Sequence, residues 1–382
     1  MARAKGSKDV YCVGISGSYG GLNLGDEAIL QGIITQLRRS LPVEITVFSR
    51  NPEDTLQRHQ VDRAIPVRKI TRNEVMPEIE RLDLMILGGG GILFDHEVKV
   101  FLREVVLAQE KGIPVMVYAV GAGPLHDPAS QKIVRECLNR AAVITVRERS
   151  AKQILEEVGV HREILVTADP ALLLKPEALP SDIPEKEMLN TRRCLIGMSV
   201  REPGMAAPDI NEEHYHRLLA DAADYMVDRF DAEVIFIPME RGVMDVQQSH
   251  AVVSRMFRAT RATVLRAKYT PGQLISIMGH FTFTVGMRLH FLIFSAIQGV
   301  PFVALPYASK VTGFIEDLHM IMPPLELVNA GRLIAHIDRS WDKRISLRNQ
   351  IKRTLPELKK RALENTTIAV HLLKEGRKQR KG

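Results

Sequence analysis

The stretch GISGSYGGLNLGDEAIL, residues 14–30, is a glycine-rich turn followed by the start of a helix. Such turns expose backbone amides that bind phosphate in nucleotide-binding proteins. From Gly20 the glycines follow Walker A spacing, but Asp26 and Glu27 stand where that loop has lysine and serine or threonine. Two carboxylates there would repel a triphosphate, so the sequence argues against nucleotide hydrolysis.

A dinucleotide fingerprint is excluded as well, because the first glycines are spaced three apart and the second strand ends in Ser49-Arg50 with no acid for a ribose. What remains is a turn that presents backbone amides beside Asn23 and Asp26. We expect these two side chains to bind hydroxyl groups of a polar substrate. An N-cap role for Asp26 is the structural alternative.

Two further predicted strands lead into glycines. They lie in LMILGGGGILFD at residues 84–95 and in AVGAGP at residues 119–124. Four consecutive glycines suggest close approach by a ligand or by another chain segment. We therefore expect Gly90 and Gly91 to contact substrate, with tight packing as the alternative. Strands of one parallel sheet that each end in glycine converge on a single crevice.

Five charged or titratable side chains follow predicted strands. Arg147, in ITVRERS, suits a carboxylate or phosphate because its planar fork donates two parallel hydrogen bonds; an interdomain salt bridge is the alternative. Arg288 and His290, in VGMRLHFLIFSAI, stand at a strand-to-helix transition, where His290 is a candidate general acid or base. Lys310, in LPYASKVTGF, is a candidate phosphate partner or a plain surface lysine. Asp169, in TADPALLL, caps or functions equally well.

The sequence predicts no metal site and no cofactor. It contains no HExxH or CxxC motif, and His214 and His216 are two residues apart, so on a helix they point in different directions. No Gly-x-Ser-x-Gly elbow indicates covalent hydrolysis.

Composition predicts a globular chain of two domains, because 382 residues exceed the size at which one core stops growing. The net charge is +7, but four of those charges lie in the last nine residues, which argues against nucleic acid as the main ligand. That basic tail is compatible with peripheral contact to an anionic membrane. Three widely spaced cysteines and no signal peptide or membrane span favour the cytoplasm, including the inner face of its membrane.

Short Val/Ile-rich runs alternate with helical patterns in both halves, which predicts two Rossmann-like domains with parallel sheets and a ligand cleft between them. The predicted limits are an N-terminal domain at residues 1–178, a proline-rich linker at 179–190, a C-terminal domain at 191–345, and a helix with a basic tail at 346–382. A capping box, TLPE from Thr354, predicts that the last helix spans about residues 355–375.

These motifs together resemble the polysaccharide pyruvyl transferase family. The resemblance rests on NLGDEAI, ILGGGGILFD, VRERS, TADP, GMRLHFLIFSA and SKVTGF, in family order and over most of the chain. It implies a fold like that of B-type glycosyltransferases and transfer of a pyruvyl group from phosphoenolpyruvate to two hydroxyls of a saccharide. It also implies that Arg147, His290 and Lys310 are the functional residues. Family members often have glycine after the histidine, so Phe291 would narrow the choice of sugar if it faces the acceptor.

Two alternatives stay open at this stage. One is a glycosyltransferase that uses a nucleotide sugar, and the other is a saccharide-binding protein of the same fold without catalysis. In the pyruvyl transferase interpretation the acceptor is a saccharide, lipid-linked or free.

Overall fold

The computed structural model describes residues 10–67, 70–95, 97–187, 189, 192–202, 211–240, 244–305, 309–321 and 329–379. Contacts divide the chain into two compact units. Unit 1 comprises residues Met1–Gly21, Asp26–Leu173 and Leu358–Gly382, and unit 2 comprises Leu22–Gly25 and Leu174–Glu357.

Unit 1 contains a seven-stranded sheet in the order β3-β2-β1-β4-β5-β6-β7, and every pairing in it is parallel. Apolar runs rich in Val and Ile form its central strands, which are buried almost throughout. The strands are β1 (Tyr11–Ser16), β2 (Val43–Ser49), β3 (Arg63–Pro66), β4 (Leu84–Leu93), β5 (Val115–Ala122), β6 (Val143–Val146) and β7 (Ile164–Val166).

Helices connect these strands, as parallel pairing requires. Polar side chains begin several of them: Asn51 caps α2, Thr71 and Glu74 form a capping box at α3, and Asp127 caps α6. The helices are α1 (Leu24–Ser40), α2 (Pro52–Arg58), α3 (Arg72–Glu80), α4 (Val98–Phe101), α5 (Arg103–Glu110), α6 (Pro128–Leu138) and α7 (Arg149–Glu157).

Unit 2 contains a five-stranded parallel sheet in the order β10-β9-β8-β11-β12. Its strands are β8 (Cys194–Ser199), β9 (Ala232–Phe236), β10 (Ala262–Val264), β11 (Phe283–Gly286) and β12 (Phe302–Ala304). Its helices are α8 (Ile183–Lys186), α9 (Glu212–Phe230), α10 (Met244–Val253), α11 (Pro271–Met278), α12 (Leu289–Ile297), α13 (Ser309–Asp317) and α14 (Ala330–Asp342). The sequence prediction of two Rossmann-like sheets of parallel strands is confirmed.

The last helix, α15, spans Arg344–Gln379, so the start predicted near residue 355 is wrong. The TLPE segment lies inside the helix, where the Thr354 hydroxyl donates back to the carbonyl of Gln350 at 3.0 Å. Residues up to Glu357 group with unit 2 and those from Leu358 with unit 1. Within unit 1, Asn365 accepts hydrogen bonds from the Thr145 and Thr167 hydroxyls at 2.6 and 2.9 Å, so the helix is tied to the ends of β6 and β7.

The three cysteines form no disulfide, and all of them lie within the described ranges. Cys137 is buried, whereas Cys12 and Cys194 are half-buried. Among the residues with described structure, no helix combines the length and the apolar character that crossing a bilayer demands. Of the basic tail, Arg380 and Lys381 lie outside the described residues.

Candidate active site

Each sheet has one point at which the strand order reverses. In unit 1 it lies between β1 and β4, and in unit 2 between β8 and β11. In open parallel sheets, ligands bind outside the carboxyl ends of the strands at such a point. The glycine-rich turn follows β1, the four glycines lie in β4, and Arg288 and His290 follow β11. The candidate residues therefore stand at the edge where this fold binds ligands.

In unit 1, Arg147 directly follows β6 and is only 5% exposed. Its Nε donates to Glu148 at 2.8 Å and its Nη1 donates to Asp169 at 3.0 Å. Burial alone lowers the pKa of Arg147, but the two carboxylates outweigh it and raise the pKa above its ordinary value. The ion pairs lie within unit 1, so the interdomain salt bridge considered from the sequence is not what holds this side chain.

Asp169 caps a helix, one of the two alternatives from the sequence, and it also pairs with Arg147. One carboxylate oxygen accepts from Arg147, and the other accepts from the backbone amide of Ala171 at 3.0 Å at the start of a short 3-10 helix, Pro170–Leu173. Capping and ion pairing together fix the direction of the carboxylate. Asp169 thereby positions Arg147.

The third guanidinium nitrogen of Arg147 lies over two glycines. Gly91 in β4 and Gly121 in β5 are register partners. A methyl group on Gly91 would stand 3.7 Å from Nη2 of Arg147, whereas one on Gly121 would stand 3.0 Å from Nη2 and 2.6 Å from Glu148 Oε1. Gly121 therefore has to be glycine for the ion pairs to form, while exposed Gly91 has room for a side chain.

The remaining glycines of β4 are approached by side chains of unit 1 itself. The phenol of Tyr19 occupies the place of a Gly88 side chain, and Asp26 Oδ1 would lie 3.3 Å from a methyl group on Gly90, which has a φ of 95°. Burial, followed by the charges of Asp26 and Glu27, holds the pKa of Tyr19 well above its ordinary value. The structure thus accounts for Gly88 and Gly90 by internal packing, the alternative considered from the sequence.

The glycine-rich turn uses several of its amides internally. Gly20 N donates to Glu27 Oε1 at 2.9 Å, Gly25 N to Asn23 Oδ1 at 2.9 Å, and Leu24 N to the carbonyl of Met239 at 2.8 Å. Buried Glu27 also pairs with His59 at 2.7 Å. The expectation that this turn offers bare amides to a ligand is therefore wrong at these three positions, because the chain supplies their acceptors.

The same contacts settle which side chain caps α1. Helix α1 begins at Leu24, and its capping side chain is Asn23; Asp26 lies in the first turn, so the N-cap alternative for Asp26 is wrong. Asp26 is half-buried, with its carboxylate directed to the glycines of β4.

In unit 2, His290 is the second residue of α12 and is half-buried. A methyl group on Gly25 would overlap its imidazole, so glycine at position 25 lets the ring lie flat on the backbone. The predicted strand-to-helix transition is confirmed, and it places the ring at the positive end of the helix. That environment favours an anion beside the imidazole.

Arg288 precedes this helix and is held by two carboxylates. Its Nε donates to Asp245 at 3.0 Å, and its Nη2 donates to Glu240 at 2.9 Å and also to Asp245. Fully buried Asp245 accepts two further bonds, from the amides of Met239 and Glu240 at 3.1 and 3.0 Å. Arg288 is therefore the centre of a network that fixes the segment before α10.

Phe291 does not face an acceptor. Its side chain is fully buried, and its ring occupies the space that a side chain on Gly286 would need. The condition under which Phe291 would narrow the choice of sugar, a side chain that faces the acceptor, is therefore not met, because the ring belongs to the core of unit 2.

Lys310 is the second residue of α13 and is half-buried in unit 2. The structure therefore groups His290, Arg288, Asn23 and Lys310 in unit 2, and Asp26, Gly90, Gly91 and Arg147 in unit 1.

Sequence reasoning singled out Asp169 but missed the other carboxylates that hold the two arginines, Glu148, Glu240 and Asp245. Glu148 was within reach, since it adjoins Arg147 in the segment VRERS, and an arginine beside an acid on a buried strand needs a partner. Asp245 gives no such signal, because it lies 43 residues from Arg288 in the sequence. Arg50, at the end of β2, was also overlooked as a cation.

A family model for polysaccharide pyruvyl transferases matches residues 23–309 of this chain, and the match ends one residue before Lys310. The chain is 21% identical over 389 residues to the amylovoran biosynthesis protein AmsJ of Erwinia amylovora, covering 88% of this chain and 93% of that protein.

Solved structures with the same architecture include S. aureus MnaA in a UDP co-structure, with a TM-score of 0.65 at 11% identity over 93% of this chain and 94% of that one. Anabaena Alr3699/HepE in complex with UDP and glucose gives 0.63 at 12% identity over 96% of this chain and 100% of that one. UDP-GlcNAc 2-epimerase from Neisseria meningitidis gives 0.61 at 9% identity over 96% and 100%.

At these identities the structural matches show the fold alone, a mixed α/β chain with two Rossmann-like parallel sheets of the kind found in B-type glycosyltransferases and epimerases. The family model, in contrast, matches well over half of the sequence, from Asn23 to residue 309. The chain belongs to the polysaccharide pyruvyl transferase family.

Proposed function

We propose that this chain transfers a pyruvyl group from phosphoenolpyruvate to two hydroxyls of a cell-envelope saccharide, forming a pyruvate ketal and releasing phosphate. The observation that carries the proposal is the family match over residues 23–309, which includes the segments of Arg147 and His290. The relative AmsJ, named for amylovoran biosynthesis, supports a role in making an extracellular or envelope polysaccharide.

The reaction requires one proton to reach the methylene carbon of phosphoenolpyruvate. Protonation leaves an oxocarbenium-like centre at the adjacent carbon, which the oxygen of one sugar hydroxyl attacks. The oxygen of a second hydroxyl then displaces phosphate from the same carbon. Of the two hydroxyl protons, one balances the proton on the new methyl group and the other leaves with phosphate.

We assign proton transfer to His290. Its ring is fixed by Gly25 and by its place in the first turn of α12, so it needs little reorganisation before it reacts. The helix N-terminus favours a neighbouring anion, which suits a donor with a carboxylate and a phosphate. General acid-base catalysis of this kind contributes about 10² to 10⁴ in rate.

We assign recognition of the donor's anionic groups to Arg147 and Lys310. Glu148 and Asp169 fix two nitrogens of the Arg147 guanidinium, and its Nη2 points toward exposed Gly91. A guanidinium held in this way offers a directed hydrogen bond to a carboxylate or phosphate oxygen. We assign orientation of the acceptor hydroxyls to Asp26 with Asn23, and the donor itself requires no further cofactor.

The test is to incubate the chain with phosphoenolpyruvate and N-acetylmannosamine-type acceptors, free and lipid-linked, and to follow phosphate release together with the mass of the product. The pair His290→Ala and His290→Gln should lower kcat by about 10² to 10⁴. His371→Ala is the matched control, because His371 is 68% exposed on α15 and pairs only at the surface. Full turnover in the His290 variants would reject the assigned role.

A second candidate is transfer of a sugar from a nucleotide donor, which is favoured by the fact that the matched MnaA and HepE structures hold UDP. Calorimetry with UDP, GDP and phosphoenolpyruvate separates the two functions. Binding of phosphoenolpyruvate without nucleotide binding supports pyruvyl transfer, whereas the reverse result supports the glycosyltransferase. Acceptor binding without turnover of any donor would instead support a non-catalytic saccharide-binding protein.

A further inference from the structure

The glycine-rich turn of unit 1 needs a positive group if it binds an anion, and its amides do not provide one at Gly20, where Glu27 is the acceptor. The Arg147 cluster provides direction without net positive charge. One guanidinium beside the two carboxylates of Glu148 and Asp169 leaves a net charge of −1 when all three groups are ionised. A donor that carries a carboxylate and a phosphate therefore needs cations besides Arg147.

Arg50 has the position and the surroundings of such a cation. It directly follows β2 at the carboxyl edge of the sheet, and its backbone amide donates to the carbonyl of Tyr19 at 3.1 Å, which joins it to the turn. Its Nη2 donates to the hydroxyl of Ser18 at 2.5 Å. Its Nη1 lies 3.2 Å from the place of a methyl group on Gly21, so the guanidinium rests on the bare backbone of the turn.

Arg50 differs from Arg147, the other arginine at this edge of the sheet, in its ion-pair and hydrogen-bond partners. Within the described part of the chain, no carboxylate forms an ion pair with Arg50, and its buried Nε has no hydrogen-bond acceptor. A buried donor without an acceptor destabilises the folded chain. This donor lies at the carboxyl edge of the sheet, and a single neutral hydroxyl, that of Ser18, fixes the side chain. The guanidinium of Arg50 is therefore held in place without being neutralised by a carboxylate.

We infer that Arg50, positioned by Ser18 and Gly21, binds an oxyanion of the substrate through its guanidinium. The donor as the source of that oxyanion rests on the proposed function, with the phosphate or carboxylate of phosphoenolpyruvate as the group bound. A diphosphate that links the saccharide acceptor to a carrier presents the same chemistry to the same nitrogen atoms. Arg50 thus adds a cation to the site that no family motif of the sequence includes.

The experiment is isothermal titration of the full-length chain with phosphoenolpyruvate and, separately, with inorganic diphosphate. The variants are Arg50→Gln, Arg50→Lys and Ser18→Ala. Arg72→Gln is the control, because it also removes one positive charge from unit 1 but at an exposed ion pair with Glu110. The urea midpoint of each variant is measured alongside, so that a folding defect is recognised by its equal effect on both ligands.

We expect Arg50→Gln to raise the Kd for phosphoenolpyruvate about 10- to 100-fold, the loss of a charge-assisted hydrogen bond. Arg50→Lys should restore part of the affinity, Ser18→Ala should cost less than Arg50→Gln, and Arg72→Gln should have no effect. If only diphosphate binding depends on Arg50, the oxyanion site is supported and its ligand is the carrier. Unchanged binding of both ligands in Arg50→Gln overturns the inference.

The outcomes for the two proposals are distinct. Wild-type chain that binds phosphoenolpyruvate in a manner independent of Arg50 supports the proposed donor and overturns the Arg50 site. Wild-type chain that binds only diphosphate, in a manner dependent on Arg50, supports the site and contradicts the proposed donor. Wild-type chain that binds neither anion contradicts both.

Discussion

Each unit contains a buried arginine just beyond a strand end, and the two are held differently. Arg147 in unit 1 is 5% exposed and Arg288 in unit 2 is 7% exposed, and each faces two carboxylates. The partners of Arg147 use Nε and Nη1, and within the described residues no hydrogen bond is formed by its Nη2. In Arg288, by contrast, Nη2 is shared by Glu240 and Asp245, and Nε binds Asp245 again.

We expect this difference to separate an arginine that binds a ligand from one that organises the fold. Asp245 binds Arg288 and the amides of Met239 and Glu240, so removing any member affects the backbone at Met239 and Glu240. Nη2 of Arg147 takes part in neither ion pair and lies beside Gly121 and exposed Gly91, so a hydrogen bond from it to a ligand would leave both pairs intact. Arg288 was expected from the sequence to bind substrate, and we now expect it to act by positioning.

The largest effect should come from Asp245→Ala. It leaves the buried guanidinium of Arg288 without its main partner and two backbone amides without an acceptor, so we expect a loss of about 3–5 kcal/mol in the free energy of unfolding. Urea unfolding measures it. Asp228→Ala is the control, since Asp228 pairs with Arg258 at the surface and should contribute less than about 1 kcal/mol. Equal losses in both variants would mean that the Asp245 network is not the anchor described above.

Lysine substitutions should then separate the two arginines. Arg147→Lys keeps the charge but cannot donate from three fixed nitrogens, so kcat/KM for pyruvyl transfer should fall about 100-fold. Arg288→Lys should cost about 2–3 kcal/mol of stability through lost charged hydrogen bonds, while kcat/KM of the folded fraction changes by less than about fivefold. Steady-state kinetics and urea unfolding on the same preparations give both numbers. A comparable drop in kcat/KM for the two variants would remove the distinction.

The fold could be predicted from the sequence because each central strand is a short apolar run between helical patterns. The exception is β3, Arg63–Pro66, which pairs with β2 alone and is half-buried along its length, so its sequence lacks the apolar signal. The predicted start of α15 near residue 355 was wrong because a proline normally ends or begins a helix, and Pro356 was interpreted in that way. Here Ile351, Leu355 and Leu358 are buried on both sides of Pro356, and this packing favours a continuous helix.

The candidate site could be predicted only in part. The location of a residue that follows a strand can be predicted from its position in the sequence, as for Arg147 and His290. Their partners come from distant segments that only the folded chain brings together, as Asp245 does for Arg288 and Asp169 for Arg147. Glycines gave an ambiguous signal, because the sequence does not distinguish a glycine that makes room for a neighbouring side chain from one that makes room for a ligand.

The register partners Gly91 and Gly121 resolve this ambiguity with the smallest expected effects. Gly121→Ala places a methyl group 2.6 Å from Glu148 Oε1, so the Arg147 ion pairs must shift, and we expect a loss of about 1–3 kcal/mol in stability together with lower activity.

Gly91→Ala places a methyl group at an ordinary contact distance, 3.7 Å from Arg147 Nη2, on an exposed position of β4. Stability should therefore change by less than about 0.5 kcal/mol. If the donor approaches Nη2 over the backbone of Gly91, the same methyl group should raise KM for phosphoenolpyruvate about tenfold, the cost of one displaced contact. An unchanged KM in a fully stable Gly91→Ala variant would show that the ligand does not reach Arg147 over Gly91, and the face of Arg147 left open by its ion pairs would then have only a structural explanation.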